Sequence, residues 1–144
     1  MDPEVGMTAR MSVFLHTPST IDDVHDSLAE ILGRRLERRD LRVGRVYTTT
    51  IFDLEMRLFD KHGLDDDCGI MFTNYEYQLE LIPLESGLRV EGFDRLYEAI
   101  TKFLAARLAN SLSGQSIVVA NLQRQTARFG DERAPQPGPI RPAR

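Results

Sequence analysis

Apolar residues recur along this chain with two different periods. Between Phe52 and Leu58 the residues Phe52, Leu54, Met56 and Leu58 alternate with Asp53, Glu55 and Arg57. A period of two sends successive side chains to opposite faces of a β-strand, so this segment predicts a half-buried strand. Ile70 to Ile82 alternates again, with Tyr75, Tyr77, Leu79 and Leu81 on one face and Glu76, Gln78 and Glu80 on the other. Two such segments in succession predict antiparallel neighbours in one sheet whose wet face is acidic. Elsewhere the period is helical. Ile21, Val24, Leu28, Ile31 and Leu32 recur at three and four residues, behind Ser19 or Thr20 as N-cap, with Asp22 and Asp23 in the first turn and Arg34 and Arg35 at the end. Phe93, Leu96, Tyr97, Ile100, Phe103, Leu104 and Leu108 predict a second helix that ends near Leu112 and is stopped by Gly114.

Two continuous apolar runs complete the pattern. MSVFLHT, residues 11–17, reads as a short strand ended by Pro18, and SIVVANL, residues 116–122, as a strand buried on both faces. Residues 36–45 read as a strand or an extended connection. The expected order is β-α-β-β-β-α-β, an α+β fold in which two helices cover one face of a mainly antiparallel sheet and leave the far face exposed. Residues 11–129 form the single domain of this reading, 1–10 a flexible N-terminus. Residues 130–144, with Pro135, Pro137, Pro139 and Pro142, are expected to be a disordered Pro/Arg-rich tail. A chain of 144 residues that is 42% hydrophobic supports one core without staples.

Charge is distributed unevenly. Residues 34–45 hold six arginines against Glu37 and Asp40, whereas residues 53–98 hold twelve acids against Arg57, Lys61, Arg89 and Arg95. The acidic stretch would draw a basic partner and repel nucleic acid. Cys68 is the only cysteine, and the opening MDPEVGMTARMSVF lacks the basic start and apolar stretch of a secretory signal, so the cytoplasm is the expected compartment. No apolar run approaches the roughly 20 residues of a membrane-spanning helix.

Candidate chemistry is sparse. Asp60, His62, Asp65, Asp66, Asp67 and Cys68 could offer metal ligands, but their spacing matches neither an EF-hand loop nor a structural zinc signature. A metal-dependent enzyme using Asp60, His62 and Asp65 stands as an alternative reading, and a structural homodimer as another. His16, His25 and His62 show no fixed spacing, neither glycine-rich phosphate pattern is present, and solvated strand carboxylates make poor general acids. No catalytic residue, metal or cofactor is therefore assigned. The arginine series lacks interleaved aromatics in an acidic chain of pI near 5.4, which argues against nucleic-acid binding. The expected partner surface consists of Asp53, Glu55, Asp65, Asp66, Asp67, Glu76 and Glu80, with Tyr75 as an aromatic anchor.

The succession IFDLEMRLFDKHGLDDDCGI, YEYQLELIPL, FDRLYEAITKFLAARLANSL and SIVVANLQR resembles the small α+β immunity proteins of bacterial polymorphic-toxin and contact-dependent inhibition systems. The resemblance spans residues 11–129 and is one of layout. It implies a non-enzymatic inhibitor that binds a cognate toxin in the cytoplasm. Against a basic toxin domain, the acidic strands and loop would read as a nucleic-acid mimic.

Overall fold

A computed structural model describes residues 10–130, so the expected N-terminal segment and Pro/Arg-rich tail lie outside the described residues apart from Arg10 and Gly130. The chain runs β1 (Met11–His16), α1 (Ile21–Leu32), β2 (Glu37–Leu41), β3 (Gly44–Ile51), β4 (Leu54–Phe59), β5 (Tyr77–Pro83), α2 (Glu85–Leu88), α3 (Phe93–Ser111), β6 (Gln115–Ala120) and β7 (Arg124–Gly130). All seven strands form one antiparallel sheet in the order β2-β3-β4-β5-β1-β6-β7. The fold is α+β with its helices on one face. The N-terminal strand β1 lies inside the sheet, between β5 and β6.

Local chemistry accounts for the elements. The Thr20 hydroxyl accepts from the Asp23 amide while Asp23 reaches back to the Thr20 amide, a capping box that satisfies the free donors of α1. Gly33 ends the helix at φ 75°, a left-handed conformation that costs glycine little. Arg34 and Arg35 thus fall beyond the helix, not in its last turn. The α3-to-β6 connection turns at Gly114, where a Cβ would stand 2.4 Å from the His16 carbonyl oxygen. Only glycine fits that approach.

The main core lies between helices and sheet. Val13 and Leu15 of β1, Leu54, Met56 and Leu58 of β4, and Leu79 and Leu81 of β5 meet Val24 and Leu28 of α1 and Tyr97, Leu104 and Leu108 of α3. Within it the Tyr97 hydroxyl donates to the Leu81 carbonyl at 2.6 Å and accepts from the Met11 amide at 2.6 Å. Met11 and Leu81 face one another in the β1–β5 register, so the phenol closes the end of that ladder. Burial pushes its pKa up to about 12.

Several sequence expectations need correction. The alternating run from Phe52 to Leu58 does not begin in a strand: Phe52 and Asp53, at φ 57° and 58°, form the turn that joins β3 to β4. Positive φ at both central residues is the type I′ hairpin pattern, here without the usual Asn-Gly. The expected order lacks two elements: the short helix α2, which contains Ser86 and Gly87, and the edge strand β7. Leu96 and Phe103, expected in the core stripe of the second helix, are 48% and 52% exposed. Finally, the far face is only partly open. Ile70, Phe72 and Tyr75 pack on Phe14 of β1 and on Ile117 and Val119 of β6, with Leu64 beside them. The segment between β4 and β5 is therefore a folded cover that includes a 3-10 turn at Phe72–Asn74, and regular β5 begins only at Tyr77.

Candidate functional site

The covering segment, residues 60–76, contains the acidic loop, and its position is set from beneath and within. His62 lies edge-on to Phe14, ring centroids 5.4 Å apart. Its Nδ1 accepts from the Leu64 amide at 2.9 Å and its Nε2 lies 2.7 Å from the Tyr75 carbonyl. An amide donor at one nitrogen and a carbonyl at the other assign the Nε2–H tautomer, with both nitrogens occupied. Asp66 accepts from both the amide and the hydroxyl of Thr73, each at 2.9 Å. Asp67 and Ile70 exchange backbone bonds of 3.1 and 2.8 Å across the Cys68–Gly69 turn, and the Asp67 carboxylate accepts from the Cys68 amide at 2.8 Å.

Asp65, Asp66 and Asp67 are all exposed. Among the described residues none of them has a basic nitrogen within 4.0 Å. Three consecutive carboxylates, of which Asp66 and Asp67 are held by hydrogen bonds, leave a negative projection on the sheet's far face.

The other expected partner residues do not join them as a single surface. Glu55 and Glu80 do share the far face, but Glu55 accepts from Arg57 at 3.0 Å, and Arg57 in turn stands opposite Glu80 in the β4–β5 register. Glu80 also lies 3.8 Å from Arg10. Asp53 sits at the tip of the β3–β4 hairpin, where it accepts from the Ser86 hydroxyl at 3.0 Å. Glu76 closes the opposite end of the sheet, accepting from the Thr17 amide at 3.0 Å and approaching His16 Nδ1 at 2.9 Å. Tyr75 is buried, so it anchors the cover and cannot anchor a partner; burial raises its pKa, with Arg128 acting in the opposite direction. The expected acidic face thus divides into arginine-matched strand carboxylates and an unmatched loop.

Beside the loop the far face carries a groove of about 510 Å³, which sequence patterning did not indicate. Phe59, Gln78 and Glu80 contribute to it, with Leu64, Val43 and Leu122 among its apolar lining. Val43 and Leu122 come from hairpin connections, where an apolar residue carries no periodic signal.

Asp60, His62 and Asp65 are not assembled as a ligand set. The Asp60 carboxylate accepts from the Arg45 amide at 3.0 Å, and both His62 nitrogens are taken. Among the described residues no three His, Cys, Asp or Glu side chains are grouped to hold a metal ion. Five of the six arginines of residues 34–45 are similarly engaged: Arg35 with Asp26, Arg38 with Asp40, Arg39 with Glu37, and Arg45 with Asp22 and Asp40, while Arg34 donates to the Thr50 carbonyl. Asp22 also accepts from the Tyr47 hydroxyl at 2.5 Å, and this bond, reinforced by Arg45, holds its pKa below the usual value.

No helix among the described residues is long and apolar enough to cross a membrane. No family model, curated protein or solved structure matches the chain.

Proposed function

We propose that this chain is a non-enzymatic binding protein of the immunity type, acting in the cytoplasm, which engages a basic protein partner through Asp65, Asp66 and Asp67. The observation that supports the reading is that, among the described residues, no ion pair within 4.0 Å neutralises these three exposed carboxylates, which stand on a loop already fixed by Phe14, Phe72, Tyr75 and His62. A loop ordered before binding loses less entropy on association, and uncompensated charge speeds encounter with an opposite partner. The neighbouring groove would receive an apolar side chain of that partner, with Glu80 near enough to meet a basic one.

The test exploits the difference between charge and hydrogen bonding. Asn at all three positions removes the charge but keeps a side-chain oxygen acceptor, so the bonds from Thr73 and Cys68 survive. Affinity capture from source cells on wild-type and triple-Asn protein would be followed by titration of the retained protein at low and high salt. A basic protein held by the wild type with steep salt dependence, and lost by the variant, supports the reading. Equal binding by both proteins rejects this surface.

A further inference from the structure

A polar cleft of about 490 Å³ opens at the β2 margin of the sheet, away from the covering segment on β1 and β6. Arg34, Arg35 and Arg39 line it, together with Glu37, Glu55 and the threonines of β3. Glu37 stands opposite Thr48 and Thr50 opposite Glu55, so these four side chains share the far face, and Arg39, two residues beyond Glu37, shares it with them. Arg34 and Arg35 reach the cleft from the α1–β2 connection. A guanidinium carries five N–H donors, and few are spent here. Arg34 donates to the Thr50 carbonyl at 3.0 Å, Arg35 to Asp26 at 3.4 Å, and Arg39 lies 3.9 Å from Glu37, too far for a hydrogen bond. Among the described residues the hydroxyls of Thr48 and Thr50 have no hydrogen-bond partner. Glu55 is matched by Arg57 at 3.0 Å, so guanidinium charge is in excess in the lining.

We propose that this cleft binds a small phosphate ester that carries hydroxyl groups. The phosphate sits among Arg34, Arg35, Arg39 and the two threonine hydroxyls. Guanidinium forks match phosphate oxygens in pairs, and a dianion offsets the excess positive charge. A carboxylate, with two oxygens and one charge, would leave several of these donors unused. Glu37 stands beside them as an acceptor for a hydroxyl of the same ligand. The same carboxylate repels the next phosphate of a polyanion, so the lining favours a single phosphate over a nucleic-acid backbone. The cleft's volume falls in the lower part of the roughly 300–1,000 Å³ range of small-molecule sites. Because the cleft and the acidic loop lie over different strands, this inference is independent of what the loop binds.

NMR titration of residues 1–144 with glycerol phosphate is the first measurement, beside inorganic phosphate and glycerol. Saturable shifts are expected at the side chains of Arg34, Arg35 and Arg39 and at the amides of Thr48, Thr49 and Thr50, with none at Asp65, Asp66 or Asp67. Glycerol phosphate should bind more tightly than inorganic phosphate, and glycerol should not bind. Arg35→Gln combined with Arg39→Gln leaves the Arg34 bond to Thr50 in place and should raise the dissociation constant at least about 10-fold, with an unchanged circular dichroism spectrum. Thr48→Val keeps the shape of the side chain and should raise it about 2- to 10-fold. No saturable shift at millimolar glycerol phosphate overturns the proposal and leaves the arginines as charged guards of the β2 edge. Binding unchanged in both variants overturns it as well. Tighter binding of a short single-stranded RNA than of glycerol phosphate overturns the choice of a single phosphate.

Discussion

Tyr97→Phe removes one oxygen atom and tests how the sheet is closed. Tyr97 is 1% exposed, and its hydroxyl serves both the Met11 amide and the Leu81 carbonyl. Without it, two buried backbone groups lose their partner, each at a cost of about 1–3 kcal/mol, so a destabilisation of about 3 kcal/mol is expected. That is a large share of the 5–15 kcal/mol typical of a folded domain. The same hydroxyl has an alkaline signature. Its folded pKa of about 12 exceeds the unfolded value of 10.0, so its stabilisation is complete below pH 10 and declines as pH rises from 10 toward 12. At pH 11 the wild type should have lost about 1.4 kcal/mol from this group, a loss that the phenylalanine variant cannot show. Urea unfolding of both proteins at pH 7, 9 and 11 gives the two quantities independently. The difference should be about 3 kcal/mol at pH 7 and narrow by about 1.4 kcal/mol at pH 11. A pH 7 difference under about 1 kcal/mol would show that the strand ends close on each other without the phenol. A difference that does not narrow would refute the linkage argument.

Three further outcomes follow from described contacts. His62→Ala should cost about 1–3 kcal/mol, and hydrogen exchange should accelerate across residues 60–75 before it does so in β1 or β6; unchanged exchange there would deny His62 its role in fixing the loop. Gly114→Ala should destabilise by about 1–3 kcal/mol, measured by thermal unfolding, because the added methyl meets a backbone oxygen that cannot rotate away. Asp22 is held below its ordinary pKa chiefly by Tyr47, so its contribution is present above about pH 4 and is lost as pH falls through the folded value. Carboxyl NMR titration should therefore find Asp22 moved upward in Tyr47→Phe, and an unmoved titration would contradict the assignment.

The layout was legible where period and caps agree. Thr20, Asp22 and Asp23 before Val24 and Leu28 specify α1, and the alternation from Leu54 to Leu58 specifies β4. The hairpin at Phe52–Asp53 was hidden because neither residue is a usual turn former and the alternation continues through it. The folded cover was also misread, although a signal existed. Phe14, Ile117 and Val119 make MSVFLHT and SIVVANL apolar on both sides, which requires something over the far face. Ile70, Phe72 and Tyr75 fall at irregular spacing, and periodicity assigned them to an open strand instead. The acidic set fails for a related reason: Asp53, Glu55, Glu76 and Glu80 look equivalent along the chain, whereas their fates depend on partners as distant in sequence as Arg10, His16 and Ser86. The adjacent trio, whose surroundings are decided by local turn geometry, has no ion pair among the described residues.

The interior place of β1 has a consequence for synthesis. Its left neighbour is completed by residue 83, but its right neighbour spans 115–120, about a hundred residues downstream. A nascent chain emerging from the ribosome must carry β1 with one hydrogen-bonding rim vacant until almost the whole molecule has been made. Long-range closure of this kind is slow. Truncation before residue 115 should accordingly yield not a smaller stable protein but a species prone to pairing that rim with another chain.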